Sequence, residues 1–448
     1  TPVMTAVWDC LVPPDGEFRL SGFQARAAET ILEGVKRAAI ITAGTGSGKT
    51  LAFYLPALTD IADKVQANVT WTKCLAIYPR VELLKDQFAE ALDMCARIQD
   101  TLIAQGRRPL TVGTLFERTP TNASQTESKW QRAKGIAGLI CPYSRCSVAT
   151  GEGTCEGDLV WLDSDRNNKR ERLTCHKCGN VIEEGSIILT RERALQTPPD
   201  ILFTTMEMVH KRLADPQFGR LLGVGSVPRD QRVAFVLLDE VHTYSGLPGA
   251  QGAMVIRRWK HASGADPVFV GLSATLLEAR CFFQELTSVP EYRIENVEPY
   301  RHEMIDEGAE YQIALKSNPT SQTSLLSTSI QTSMLMGRLL DPLDRNISGG
   351  RYGQRVFAFT DTLDVNTRLY DDLRDAEGIK ILGPQEAPLA SLRQGHAGES
   401  PFERELRDLD GQRWGLPEKI GHDLRRPLRV GRTSSRDPGV TQQQNILV

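Results

Sequence analysis

A short glycine-rich segment near the amino terminus has the residue types and the spacing that bind phosphate. Residues 43–50 read AGTGSGKT, between an apolar run at 38–41 and a helical pattern at 51–55. Glycines let successive backbone N–H groups turn toward one anion, and the amino terminus of the following helix adds the positive end of its dipole. The order of strand, glycine loop and helix therefore predicts a phosphate-binding site.

The side chains of this loop indicate how a nucleoside triphosphate would be held. Lys49 would reach the β- and γ-phosphates, and the Thr50 hydroxyl would hold Mg²⁺. ATP and Mg²⁺ are therefore the expected cofactors. The loop opens with Ala43, where the strict pattern has glycine. The predicted phosphate-loop contacts are Gly44, Thr45, Gly46, Ser47, Gly48, Lys49 and Thr50.

Two adjacent carboxylates follow a second apolar run. Asp239 and Glu240 come directly after the four apolar residues 235–238. Ligands of parallel sheets bind at the carboxyl ends of the strands, where Asp239 would hold Mg²⁺ and Glu240 would activate the attacking water. An isolated acidic pair more often caps a helix, but the phosphate loop upstream favours ATP hydrolysis. The predicted catalytic residues are Lys49, Asp239, Glu240 and His242.

The chain alternates apolar strand-like runs with helical patterns from about residue 20 to 290. Such runs, rich in Val, Ile and Leu, predict an α/β fold with a parallel sheet that is covered on both faces. A second α/β pattern begins with a strand at 354–359 and a helix at 363–373. The predicted strands of the first pattern are 38–42, 74–78, 110–113, 200–203, 233–238 and 268–272.

A cluster of cysteines interrupts the first pattern. Five of the nine cysteines fall between positions 141 and 178, and four of them form two short-spaced pairs. Two such turns bring four thiolates to a tetrahedral Zn²⁺. Cys155 is left over, unless it takes the place of Cys146. The predicted zinc ligands are Cys141, Cys146, Cys175 and Cys178.

An iron–sulfur cluster on four cysteines is the alternative metal centre. The short spacing within each pair favours zinc. Since structural zinc contributes folding energy directly, we expect chelation to unfold the insertion, residues 121–198, and to leave the nucleotide-binding fold intact.

The composition limits the classes of partner. Hydrophobic residues make up 40% and charged residues 24%, as in a globular protein. The net charge is −3, so nucleic-acid contacts must use a local groove. No apolar run of about 18 residues and no signal peptide is present, so we expect no membrane contact. Clustered cysteines with metal-like spacing indicate a reducing compartment, and we expect the cytoplasm.

The order of the motifs makes the chain resemble the superfamily 2 DEAD/DEAH-box helicases. The residues at 119–120 and 204–208 make it resemble bacterial Lhr-like and phage-defence helicases, such as the DISARM helicase, more than RNA-only DEAD-box proteins. The corresponding segments are 23–26 (Q motif), 43–50 (motif I), 78–87 (motif Ia), 204–208 (motif Ib), 239–242 (motif II, a DEVH box), 271–275 (motif III) and 357–361 (motif IV).

The resemblance implies roles for further residues. Gln24 would read the adenine edge, and Ser273 and Thr275 would couple the ATP state to the grip on nucleic acid. It implies nucleic-acid contacts by Arg80, Thr204, Thr205 and Thr360.

The resemblance also implies the architecture and the activity. A RecA-like domain (1–290) would contain a zinc-ribbon-like insertion (121–198) and be followed by a linker (291–350) and a partial second RecA-like domain (351–448). We expect an ATP-dependent helicase or translocase on DNA. An RNA-remodelling ATPase and a nucleotide-gated nucleic-acid-binding subunit of a larger antiviral defence complex are the alternatives.

The arginine-bearing motif VI of the family is missing. Residues 445–448 resemble the first half of motif V, so we expect a fragment that binds ATP better than it hydrolyses it.

Overall fold

The computed structural model describes residues 1–16, 18–44, 46–151, 153–274, 276–304, 312–315, 325–341, 348–349, 353–376 and 429–434. Two of the predicted site residues, Thr45 and Thr275, lie outside the described residues. The chain divides into two units, Thr1–Glu307 and Gly308–Val448.

The first unit alternates strands and helices along the chain. Its strands are β1 (Ala38–Thr42), β2 (Cys74–Tyr78), β3 (Val112–Leu115), β4 (Gly138–Arg145), β5 (Ala149–Thr150), β6 (Gly153–Thr154), β7 (Asp158–Leu162), β8 (Leu173–Cys175), β9 (Val181–Ile182), β10 (Ile187–Ile188), β11 (Ile201–Thr205), β12 (Phe235–Leu238), β13 (Val268–Ser273) and β14 (Ile294–Val297). Its helices are α1 (Pro2–Leu11), α2 (Gly22–Glu33), α3 (Lys49–Lys64), α4 (Val81–Arg97), α5 (Gln99–Ala104), α6 (Asp163–Asn167), α7 (Arg191–Gln196), α8 (Met206–Leu213), α9 (Gly246–Ser263) and α10 (Ala279–Thr287).

Eight parallel strands form the main sheet, in the order β10-β3-β11-β2-β12-β13-β1-β14. Successive side chains point to opposite faces, so Ala39 and Ile41 join one buried core while Ala38 and Ile40 join the other. Both faces are therefore covered. The predicted α/β fold with a parallel sheet is confirmed.

The sequence located most strands of the main sheet. The strand predicted at 74–78 is β2, but the one predicted at 110–113 lies two residues later, at Val112–Leu115. It missed β10, whose two residues are too few to show a pattern, and β14, whose four residues include the polar Glu295 and Asn296.

A small antiparallel sheet, in the order β4-β7-β8-β9, lies between β3 and β10 in the chain. Its aromatic side chains continue the core of the main sheet: the Tyr143 ring is 6.0 Å from Phe88 of α4 and 5.3 Å from Trp130. The Phe88 ring is in turn 5.3 Å from Phe203 of β11. The small sheet therefore shares a core with the main sheet.

The described part of the second unit contains two helices, α11 (Leu325–Leu339) and α12 (Leu363–Ala376). α12 matches the predicted helix at 363–373. Residues 354–360 form no strand with any other described residue, so the strand predicted there is not observed. None of the described helices combines the length and the apolar character that crossing a membrane requires.

A buried ion network fixes the amino-terminal edge of the main sheet. Asp200, just before β11, contacts the Lys73 ammonium at 2.7 Å and the Arg108 guanidinium at 2.7 and 2.9 Å. Asp200 and Lys73 are fully buried. Burial alone would raise the pKa of Asp200, but the hydrogen bonds and charges of Arg108 and Lys73 outweigh it and lower that pKa.

Asp200→Asn is expected to lower the free energy of unfolding by about 3–5 kcal/mol, because it leaves the Lys73 charge buried without its anion. Urea unfolding of the full chain measures the change. The control is Asp266→Asn, which removes the largely exposed Arg37–Asp266 pair at the same edge and should change stability by less than about 1 kcal/mol. Equal effects of the two substitutions would contradict the role given to Asp200.

Candidate functional site

The register of the parallel strands brings the first two catalytic motifs to one edge of the sheet. Thr42 of β1 pairs with Ser273 of β13, and Leu238 of β12 pairs with Gly271 of β13. Strand β12 therefore ends two residues before β1 and β13 in this register, and Asp239 comes close to the level at which the phosphate loop begins. This carboxyl edge is where a parallel sheet binds its ligands.

The phosphate loop has the backbone of an anion cradle. Gly46 and Gly48 have φ angles of +76° and +79°, a conformation that side chains disfavour. Lys49 begins α3, and its Nζ donates to the carbonyls of Ala43 at 2.6 Å and Gly44 at 3.0 Å. The Lys49 ammonium group therefore lies over the phosphate loop. Gly44, Ser47 and Thr50 also lie on this turn, with Ser47 Oγ donating to the Gly44 carbonyl at 2.7 Å.

Gln24 connects helix α2 to the phosphate loop. Its Nε2 donates to the Gly48 carbonyl at 3.1 Å, and its Oε1 accepts the Ser21 N–H at 2.9 Å. A Cβ on residue 48 would lie 2.4 Å from Nε2, so a glycine is required there. These two contacts fix which end of the amide is oxygen and which is nitrogen.

The two carboxylates of the DEVH box lie in different environments. Asp239 is buried, and burial raises its pKa to about 6 although the Glu240 N–H bonds its Oδ1 at 2.9 Å. Glu240 has φ +47° and ψ +53°, a left-handed conformation that is uncommon for a residue with a side chain. Both carboxylates act on Lys49: burial lowers the Lys49 pKa, and the negative charges of Glu240 and Asp239 raise it.

His242 joins the DEVH box to motif III. Its Nδ1 lies 3.2 Å from the Ser273 hydroxyl and 3.3 Å from Glu240 Oε2. Ser273 is buried, whereas His242 is exposed. The imidazole thus contacts both the residue predicted to activate water and the residue predicted to couple the two activities.

The predicted nucleic-acid contacts differ in accessibility. Arg80 is exposed at the start of α4, and Thr205 caps α8 by accepting the Met208 N–H at 3.3 Å. Thr204 is fully buried and donates to the Leu115 carbonyl at 2.8 Å, so the prediction is wrong for its side chain. Thr360, in the second unit, is half-buried.

Four cysteines converge at one end of the small sheet: Cys146, Cys155, Cys175 and Cys178. Their sulfur atoms all lie within 4.8 Å of one another, and the pairs 146–178 and 155–175 are 3.5 and 3.7 Å apart. Tetrahedral Zn²⁺ with sulfur at about 2.3 Å separates its ligands by about 3.8 Å. The cluster therefore fits a single ion of that size.

The ligand set predicted from the sequence is wrong at Cys141. Cys141 lies inside β4, where its side chain packs in the hydrophobic core and burial raises its pKa to about 12. Cys155 takes its place because the β5–β6 hairpin returns the chain to Cys146: the Cys155 N–H bonds the Val148 carbonyl at 2.9 Å. The sequence alone leaves Cys155 without a role or lets it take the place of Cys146, and neither alternative is the observed one.

The backbone around Cys175 stabilises a thiolate. Burial would raise the pKa of Cys175, but the N–H groups of Cys178 and Lys177 bond its sulfur at 3.5 and 3.4 Å and help to lower the pKa to about 7. A Cβ at Gly157 would lie 2.6 Å from that sulfur. These N–H groups therefore favour the Cys175 thiolate, whereas burial raises the pKa of Cys146 to about 12, so a metal ion would have to displace the proton of that thiol.

Part of the chain matches a known protein family. Residues 21–133 match the DEAD/DEAH box helicase family. The match runs from the Q motif through motif Ia, so it confirms the resemblance predicted from those motifs.

Two curated bacterial proteins are similar to parts of the chain. An uncharacterized ATP-dependent helicase of Bacillus subtilis, YprA, is 38% identical over 63 residues, 13% of this chain and 8% of that protein. The Druantia protein DruE of Escherichia coli is 22% identical over 271 residues, 52% of this chain and 14% of DruE. The chain thus spans less than a sixth of either relative.

Among solved structures, the helicase Lhr of Mycobacterium smegmatis bound to ssDNA and AMP-PNP is similar to this chain. It is 20% identical, with a TM-score of 0.40, and the likeness covers 66% of this chain and 27% of Lhr.

Cys155→Ala is expected to abolish binding of one Zn²⁺ per chain, whereas Cys141→Ala should retain it. Metal analysis of the purified variants measures this difference. Because Tyr143 and Phe88 pack the small sheet into the common core, we further expect metal loss to lower the melting temperature of the first unit, instead of unfolding the insertion alone. Zinc bound by the Cys155 variant and lost from the Cys141 variant would contradict this ligand set.

Proposed function

We propose that this chain is the ATP-binding part of an ATP-dependent helicase or translocase that acts on DNA. The observation that carries the proposal is the edge of the main sheet at which the phosphate loop and the DEVH carboxylates meet. There, a lysine that begins a helix lies within the electrostatic influence of Asp239 and Glu240. That combination is the one a phosphoryl-transfer site requires.

The phosphate chain of ATP would take over the interactions of Lys49. In the structure Nζ is bonded to two loop carbonyls, and phosphate oxygens are stronger partners because they are charged. The Thr50 hydroxyl and Asp239 would hold Mg²⁺, which supplies positive charge to the leaving phosphates. Burial raises the pKa of Asp239 to about 6, and a bound cation would stabilise its charged form.

Glu240 is the proposed base for the attacking water. It has a left-handed backbone two residues after strand β12, and its Oε2 lies 3.3 Å from His242 Nδ1. The contact of His242 with Ser273 then provides a route from the hydrolysis site to motif III. Thr275 belongs to the same proposed coupling element.

Gln24 is suited to adenine. An amide offers two N–H donors and two oxygen lone pairs, and one of each is already used by Gly48 and Ser21. One donor and one acceptor remain, which is the pattern that pairs with the N7 and N6 positions of adenine. Because the hydrogen bonds with Ser21 and Gly48 fix the orientation of the amide, it cannot rotate by 180° to pair with guanine.

The nucleic-acid contacts are proposed for Arg80 at the start of α4, Thr205 at the start of α8, and Thr360. Contacts of this kind reach the phosphate backbone, so sequence preference should be weak and affinity should fall with salt. The proposed preference for DNA over RNA rests on the resemblance of residues 119–120 and 204–208 to those of bacterial Lhr-like and phage-defence helicases.

The proposed metal is Zn²⁺, on Cys146, Cys155, Cys175 and Cys178. Cubane-type iron–sulfur clusters place each cysteine on a different iron, which spreads the sulfurs farther apart than a single ion does. The observed separations of 3.5 and 3.7 Å favour one ion. Zinc here would be structural, because four sulfur ligands leave no position for a substrate.

A defence complex and a cytoplasmic location complete the proposal. The similarity to a Druantia protein supports a role beside other subunits. The insertion predicted at 121–198 and the partial second domain predicted at 351–448 are retained as proposals, although β10 (Ile187–Ile188) of the main sheet lies inside the former. The first domain, predicted as 1–290, extends at least through β14 (Ile294–Val297), so the proposed linker, predicted as 291–350, begins after that strand.

Glu240→Gln is expected to lower nucleic-acid-stimulated ATP turnover by at least ~100-fold, because it removes the base and keeps the shape of the side chain. The measurement is phosphate release by the protein that contains this chain, with single-stranded DNA, with RNA and with neither. Glu278→Gln is the matched control, since Glu278 has the same left-handed backbone outside the site.

The polymer that stimulates turnover separates the alternatives. Stimulation by DNA alone supports the proposal, whereas stimulation by RNA alone would establish an RNA-remodelling ATPase. If ATP binds but neither polymer stimulates turnover, the motor proposal fails and a nucleotide-gated binding subunit replaces it.

A further inference from the structure

A compact set of contacts joins helix α2 to the segment after strand β14. The Arg26 guanidinium donates two parallel hydrogen bonds to the Glu303 carboxylate, at 2.7 and 2.8 Å. It also donates to the Glu298 carbonyl at 2.8 Å, and its central carbon lies 3.7 Å from the centre of the Tyr300 ring. Arg26, Glu298, Tyr300 and Glu303 are named here the α2 brace.

The α2 brace differs from an ordinary surface ion pair. Two-pronged pairs of arginine and carboxylate are directional, whereas most single exposed pairs contribute little. The Glu303 carboxylate also accepts the Tyr300 N–H at 2.7 Å, and the bonds from Arg26 and Tyr300 lower its pKa to about 2. A Cβ at Gly22 would lie 1.8 Å from Glu303 Oε1, so glycine at this position admits the carboxylate. Residues of α2 and of the segment after β14 therefore both shape this contact.

The brace acts on the helix that carries Gln24. Gln24 and Arg26 are two residues apart in the first turns of α2, and a helical backbone moves as one piece over that distance. Ser21, which bonds the Gln24 oxygen, directly precedes the helix. A shift of the start of α2 would therefore move the free donor and acceptor of the Gln24 amide.

We propose that Arg26 and Glu303 are positioning residues for adenine recognition, which hold the start of α2 so that Gln24 meets the base. The inference rests on the proposed nucleotide site and adds a determinant of its specificity. The base would be read by Gln24, which meets the phosphate loop at the Gly48 carbonyl, whereas the phosphates would be held by the N–H groups of the loop and by Lys49. Weakening the brace should therefore change base preference more than phosphate binding.

The test is competition by ATP and GTP for a fluorescent nucleotide bound to the full chain in the presence of Mg²⁺. Arg26→Lys keeps the charge but loses the two-pronged geometry, and Glu303→Gln keeps the shape but loses the charge. Each variant is expected to bind ATP roughly 3- to 10-fold more weakly and to bind GTP within about twofold of the wild type. The double exchange Arg26→Glu with Glu303→Arg should recover part of the ATP preference.

Asp266→Asn is the matched control, because it removes an ion pair at the opposite edge of the sheet and should leave both affinities unchanged. Thermal unfolding of each variant accompanies the titrations. If the variants lose stability but keep the wild-type ratio of ATP to GTP affinity, the contacts are merely structural and the inference is overturned. A wild-type chain that binds no nucleotide would instead refute the proposed function itself.

Discussion

The parallel register of strands β1, β13 and β12 is the constraint on which the rest of the site depends. It ends β1 and β13 at one level and β12 two residues earlier, so that the backbone turns after Thr42, Leu238 and Ser273 lie at the same edge of the sheet. A hydrogen bond across this edge, from the Ala43 N–H to the Ser273 carbonyl at 3.2 Å, joins the phosphate loop to motif III. A one-residue slip would turn every core side chain to the other face, so the two buried cores hold this register in place.

Electrostatics at the edge follows from that geometry. A lysine, two carboxylates and an imidazole meet where the sheet ends, and burial acts against the charges of Lys49 and Asp239. Burial favours the neutral forms of both Lys49 and Asp239, as the directions of their pKa shifts show. Opposite charges nearby offset part of that effect. A bound Mg²⁺–triphosphate would complete the balance by bringing negative oxygens to the lysine and positive metal to the aspartate.

Local patterns predicted the main sheet and the nucleotide residues because each motif is contiguous in the chain and follows its own strand. Contacts between segments that are far apart in the sequence have no comparable local pattern. Arg26 and Glu303 are separated by 277 positions, and nothing in either segment indicates that they meet. The ligand exchange from Cys141 to Cys155 has the same origin: spacing identified the cysteines, but the β5–β6 hairpin decides which sulfurs converge. For Thr204 the motif itself was misleading, because a motif match does not show which of two neighbouring side chains is buried in the core.

The most direct test of the nucleotide site is a calorimetric titration of the chain with MgATP, for the wild type and for Lys49→Ala. Hydrogen bonds to a charged group contribute enough that the variant should bind roughly 10- to 100-fold more weakly at the same stoichiometry of one. Equal affinity in the two proteins, or no binding in either, would contradict the assignment of this edge as an ATP site.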